Sequence, residues 1–264
     1  MSYSEFARGE TSTWMIRPVV WYATAYMIII ILHEAAHATT AVWLGFPSTL
    51  FNFWVNYDSA RGTTGEQAAV GIAGPTASLL AGLVCWFIYR RVKNSMAGLP
   101  LLYLASSGVA NFFGNLMSAA FIGDFSNAAV VLGLSPTVRY EAAFIGAVAV
   151  LAIYFVTGRE LRQWTPPHVS NIGAALGLVV VPALVGTALV TIVNQPTPMG
   201  SAAFLSARAG EASLWLVGAL AGLLTRQRTT GSGPRVHVHW IDGAAALAVF
   251  LAVKVMARGI VLTP

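Results

Sequence analysis

The sequence predicts an all-α polytopic membrane protein, with about six to seven transmembrane helices and a short strand-bearing loop after the first. Two features of composition and one of patterning point there. Only 9% of the 264 residues are charged and 56% are hydrophobic, whereas soluble domains carry roughly 25% charged residues. A chain so poor in charge, with mean hydropathy +0.69, cannot clothe a water-facing surface. Its apolar runs are long and continuous. That selects helices over a closed barrel, the two architectures that satisfy backbone groups in lipid.

Seven apolar segments stand out, at residues 17–45, 68–89, 98–122, 140–157, 170–193, 211–225 and 241–259. A bilayer core takes about 20 helical residues, so the first segment must tilt or project, and the sixth is short. The seventh carries Lys254 and Arg258, whose stems can snorkel to the interface. After the first segment, Phe51, Phe53, Val55 and Tyr57 alternate with Asn52, Trp54, Asn56 and Asp58, the period of a strand. Turn residues follow at 58–65. A strand there offers an open edge to an extended peptide. The competing reading is an aromatic interfacial loop anchored by Trp54 and Tyr57.

Ten Lys and Arg residues, among them Arg17, Arg90, Arg91 and Arg159, flank the spans on the N-terminal side, against five on the other. The positive-inside rule then puts the N-terminus in the cytoplasm and, for an odd span count, the C-terminus outside. Basic residues confined to short loops report membrane topology, not a nucleic-acid partner. The apolar run after the polar residues 1–13 exceeds a signal peptide's apolar core and is expected to stay. The single cysteine, Cys85, permits no intramolecular disulfide. The excess of 13 Arg over 2 Lys points to a GC-rich genome, and the expected location is a prokaryotic cell membrane. Residues 1–157 hold the chemistry described next, and 158–264 read as an appended helical bundle.

Two carboxylates sit well inside apolar sequence, Glu34 and Asp124. Ionisable groups in hydrocarbon are costly and usually functional. Glu34 belongs to His33-Glu34-Ala35-Ala36-His37. Residues four apart share a helix face, so two imidazoles can converge on one zinc ion. Zinc lowers the pKa of a water it holds to about 7, and Glu34 is placed to take that water's proton. With this composition, chance gives roughly 0.003 occurrences of the motif in such a chain. The competing reading is a buried polar cluster satisfied by its neighbours.

A catalytic zinc wants three protein ligands. Asp124, in Phe121-Ile122-Gly123-Asp124-Phe125-Ser126-Asn127, is the expected third, with Asn127 a weaker alternative. Gly123 can turn the backbone there. Otherwise Asp124 simply caps the next helix. His237-Val238-His239 has no acidic or cysteine partner nearby and reads as surface, and His168 stands alone in a loop. The small residues of the second span, Gly71, Gly74 and Ser78 among them, are expected to serve close helix packing.

These features resemble the site-2 protease family of intramembrane zinc metalloproteases, over roughly residues 20–135. Besides His33-Glu34-Ala35-Ala36-His37, the stretch Gly71-Ile72-Ala73-Gly74-Pro75-Thr76-Ala77-Ser78 is similar to that family's Gly-Pro-x-x-Asn/Ser pattern. An Asn followed by an Asp, here Asn115 and Asp124, resembles its third motif. Here the prolines are missing and glycine precedes the Asp, so Asn111 is an equal contender for the Asn. The resemblance implies that His33, His37 and Asp124 hold zinc and that Glu34 is the general base. It also implies that Asn111 or Asn115 contacts the substrate carbonyl. The competing role for either Asn is an interhelical hydrogen bond. The implied activity is hydrolysis of a peptide bond in a membrane-embedded protein or peptide substrate. Two alternatives stand beside it: another membrane zinc hydrolase such as a prenyl-peptide protease, and a non-catalytic metal-binding subunit that binds transmembrane helices.

Overall fold

Every apolar segment forms a helix. The computed structural model describes residues 14–166, 169–195, 201–225 and 238–264, and of 201–208 the backbone alone. In chain order the elements are α1 (Ile16–Trp43), β1 (Ser48–Leu50), β2 (Val55–Tyr57), α2 (Thr64–Val92), α3 (Gly98–Met117) and α4 (Asp124–Val131). There follow α5 (Pro136–Leu161), α6 (Asn171–Val193), α7 (Ser201–Thr225), α8 (Trp240–Met256) and β3 (Ile260–Leu262). Among the described residues, α1, α2, α5 and α6 are long and apolar enough to cross a membrane. The architecture is that of an all-α membrane protein carrying one small sheet.

The boundaries differ from expectation at informative places. The third segment ends early, at Met117, and a turn leads to the short α4. The sixth is a full 25-residue helix, α7. Within α6, two π-helical stretches flank Val181. Pro182 lacks an N–H, and its ring crowds the carbonyl four residues back, which widens the turn.

The alternating loop is a hairpin, not one strand through 51–58. Phe51 N donates to Trp54 O at 2.9 Å, and the two rings stack at 4.9 Å. The turn buries Asn52, whose Nδ2 donates to Asn194 Oδ1 (3.0 Å) at the end of α6. β1 pairs antiparallel with β2 on one side and with β3 on the other, giving the order β2-β1-β3. Ser48 stands opposite both Tyr57 and Leu262. The C-terminal strand is thus hydrogen-bonded into the N-terminal half of the chain, and β2 is an edge strand.

The other end of α8 is clamped to α1. Arg17 Nε lies 3.0 Å from Asp242 Oδ2, and Trp21 Nε1 donates to Asp242 Oδ1 at 2.7 Å. All three side chains are buried. Small residues set the helix spacing: a Cβ on Gly82 of α2 would lie 2.6 Å from Val109 N of α3, and one on Gly108 would lie 2.6 Å from Ser78 O. Without a hydrophobic force between helices in lipid, such close approach is what holds them. Around Trp215, rings of Tyr22, Tyr103 and Tyr154 pack at 5.2–5.8 Å and tie α1, α3, α5 and α7 together.

Candidate metal centre

Three side chains from two helices meet. His33 and His37 lie on one face of α1, one turn apart, and both are buried. Asp124 arrives from the first turn of α4. His33 Nε2 and His37 Nε2 are 3.0 Å apart, and Asp124 Oδ2 is 2.9 Å from the first and 3.4 Å from the second. Ligand atoms on a tetrahedral zinc with bonds of about 2.0–2.1 Å lie about 3.3–3.4 Å apart. The triangle is slightly tighter than that, and His33, His37 and Asp124 form a group that can hold a metal ion.

The outer nitrogens fix the tautomers. His33 Nδ1–H has Asn111 Oδ1 as acceptor at 2.8 Å and Ser78 Oγ at 3.2 Å. His37 Nδ1–H donates to Val70 O at 2.6 Å. With both Nδ1 atoms carrying protons, both Nε2 lone pairs point at the common centre, the arrangement that metal-binding histidines adopt. Asn115 Nδ2 donates to Asn111 O at 3.0 Å, so that amide turns back on its own helix.

Gly74 does more than pack. A Cβ there would collide with His37 Nε2 and lie 2.7 Å from His33 Nε2. It would fill the space beside the ligand atoms. Ser78, one turn further, holds its hydroxyl by donating to Gly74 O at 3.1 Å. The stretch that in sequence suggested helix packing therefore faces the centre directly. The signal was readable: Gly-Pro inside an apolar helix with a Ser four residues on.

Asp124 reaches the centre because α3 stops short. Gly123 has φ of 110°, a left-handed value that side chains disfavour. A Cβ there would meet Ser118 Oγ at 3.0 Å. Asp124 does not serve as the helix cap, since Gly123 occupies that position with no side-chain cap. Glu34 is buried and interacts electrostatically with His33, His37 and Asp124.

A cleft of about 480 Å³ opens beside the group. It is lined by His37 and Asp124, by Asn56 and Tyr57 of β2, and by Asn127 and Ala128 of α4. Asn127 thus lines the cleft without joining the triangle. His239 caps α8, its backbone N–H donating to Asp242 Oδ2 at 2.8 Å. His168 and His237 lie outside the described residues. No family model, no curated protein and no solved structure matches the chain.

Proposed function

We propose that this protein is an intramembrane zinc metalloprotease that hydrolyses a peptide bond of a membrane-embedded substrate. One observation carries the reading: a buried carboxylate, Glu34, stands beside a convergent His33–His37–Asp124 group that opens onto a cleft walled by an edge strand. Zinc is favoured by the donor set of two imidazoles and one carboxylate, which leaves a fourth position open.

In this reading zinc, when bound, acts as a Lewis acid toward water and the scissile carbonyl. Glu34 accepts the water's proton and later delivers it to the leaving amine. Asn111 orients His33 through its oxygen, which leaves its amide Nδ2 as a donor toward the substrate carbonyl. An extended substrate segment adds to the open edge of β2, where main-chain bonds hold it over the centre. That requires the substrate helix to unwind locally, since a helix has already spent its backbone groups on itself. In this reading about six to seven of the helices cross the bilayer, α1, α2, α5 and α6 among them, with the N-terminus cytoplasmic by the distribution of Lys and Arg.

A metal-binding subunit that grips helices without cutting them has no use for Glu34 buried next to the ligands. The discriminating experiment is reconstitution in liposomes with a membrane-spanning peptide. Cleavage that stops on chelation and returns with added zinc supports the reading. An intact peptide at full zinc loading overturns it.

A further inference from the structure

The third ligand sits on weak foundations. Asp124 begins an eight-residue helix, and it follows a six-residue turn with a left-handed glycine. A ligand must be held close to its bonding position to bind metal well. Something outside α4 has to supply that order.

Arg139 is placed to do so. It stands in the first turn of α5, and its guanidinium makes three contacts. Nε donates to Ala119 O at 3.1 Å, and Nη2 donates to Ala120 O at 3.3 Å and to Ser126 Oγ at 3.1 Å. Two of these acceptors lie just before Gly123, and the third lies two residues after Asp124. Ser126 is itself buried. One rigid, planar group therefore bridges both sides of the bend that delivers the carboxylate. Its charge also suits the negative, C-terminal end of the α3 dipole.

The base of this brace is fixed. Seven residues further along α5, Gly146 has no room for a Cβ, which would lie 2.7 Å from Phe113 O and collide with Met117 N. Seven residues span about 10.5 Å of helix. The Gly146 contact on the last turns of α3 thus sets where Arg139 meets the turn that follows.

We infer that Arg139 is a positioning residue for the metal centre: by bridging Ala119, Ala120 and Ser126 it holds Asp124 at the site of His33 and His37. The inference rests on the metal-site reading of the proposed function and extends it to a residue outside the motif. Lysine cannot replace it, since a single ammonium does not present a flat fork to acceptors on both sides of the bend.

The test reads metal, not cleavage. Zinc affinity and the visible absorption of the cobalt-substituted protein are measured for wild type, Arg139→Gln, Arg139→Lys and Ser126→Ala, alongside thermal melting. Zinc affinity should fall about 10- to 100-fold in Arg139→Gln, the usual loss when a ligand's support is removed. The cobalt bands should shift, Arg139→Lys should fail to restore them, and Ser126→Ala should lose affinity in the same direction by a smaller factor. Wild-type affinity and an unchanged cobalt spectrum in Arg139→Gln overturn the inference. If that variant does not fold, an unchanged spectrum and affinity in Ser126→Ala overturn it. A wild-type protein that takes up no metal overturns the metal-site reading first and this inference with it, which is a different result from a loaded wild type matched by its variants.

Discussion

Asp124 Oδ2 lies 2.9 Å from His33 Nε2, across 91 residues of chain. That contact joins α4 to α1 and completes a three-donor set. Removing any one donor leaves two, too few for a catalytic zinc site. Zinc near one ion per chain is expected in the wild type, and His33→Ala, His37→Ala and Asp124→Ala should each abolish or strongly weaken it. Asn127→Ala should not. Metal analysis of the purified variants checks this, and a fully loaded Asp124→Ala would mean that another side chain is the third ligand.

Gly74→Ala should lose the metal as fully as a histidine variant, because the new methyl falls among the ligand nitrogens. Gly71→Ala is the control. Its Cβ would meet Asp124 O at 3.4 Å, an ordinary contact, so binding should survive. Equal zinc content in the two variants contradicts this account of Gly74.

Asn111→Leu removes the nearer of the two acceptors of His33 Nδ1–H, leaving only Ser78 Oγ at 3.2 Å, without touching a ligand. Zinc affinity should drop about 10- to 100-fold. Asn115→Leu, whose amide serves its own helix, should change affinity far less. Competition with a calibrated chelator measures both, and the reverse order would assign the supporting role to Asn115.

Asp242→Ala leaves Arg17 and Trp21 buried without their shared acceptor. Breaking a buried pair from one side costs about 3–5 kcal/mol, so thermal unfolding in detergent should come markedly earlier. The double variant Arg17→Met/Asp242→Leu should recover much of that loss, since an apolar pair of similar volume suits the site. A double variant no more stable than Asp242→Ala argues against the clamp.

Much of this was legible in the chain. Seven apolar runs became helices because lipid leaves the backbone no other partner. His33, Glu34 and His37 declared themselves through a one-turn spacing that needs no tertiary information. Asp124 was readable as a costly carboxylate in apolar surroundings, but its depth depended on where α3 stops. That stop lies in a turn made by Gly123 and braced by Arg139 from another helix. Arg139 and Asp242 looked like ordinary charges near span ends, because an ion pair across 225 residues leaves no local pattern. The hairpin was masked for a similar reason. Alternation over 51–58 reads as one strand unless Asn52 is known to meet Asn194. The pairing of β3 with β1 links the two ends of the sequence, and short strands carry too little periodicity to announce a partner.

In the proposed mechanism Glu34 transfers a proton at a metal that it does not hold. Glu34→Gln keeps the shape of the side chain and removes the base. The decisive measurement is cleavage of a membrane-spanning peptide in liposomes by wild type and Glu34→Gln, with zinc content determined on the same samples. Equal zinc is expected in both, and cleavage by the wild type alone. Cleavage at the wild-type rate by zinc-loaded Glu34→Gln would contradict the mechanism.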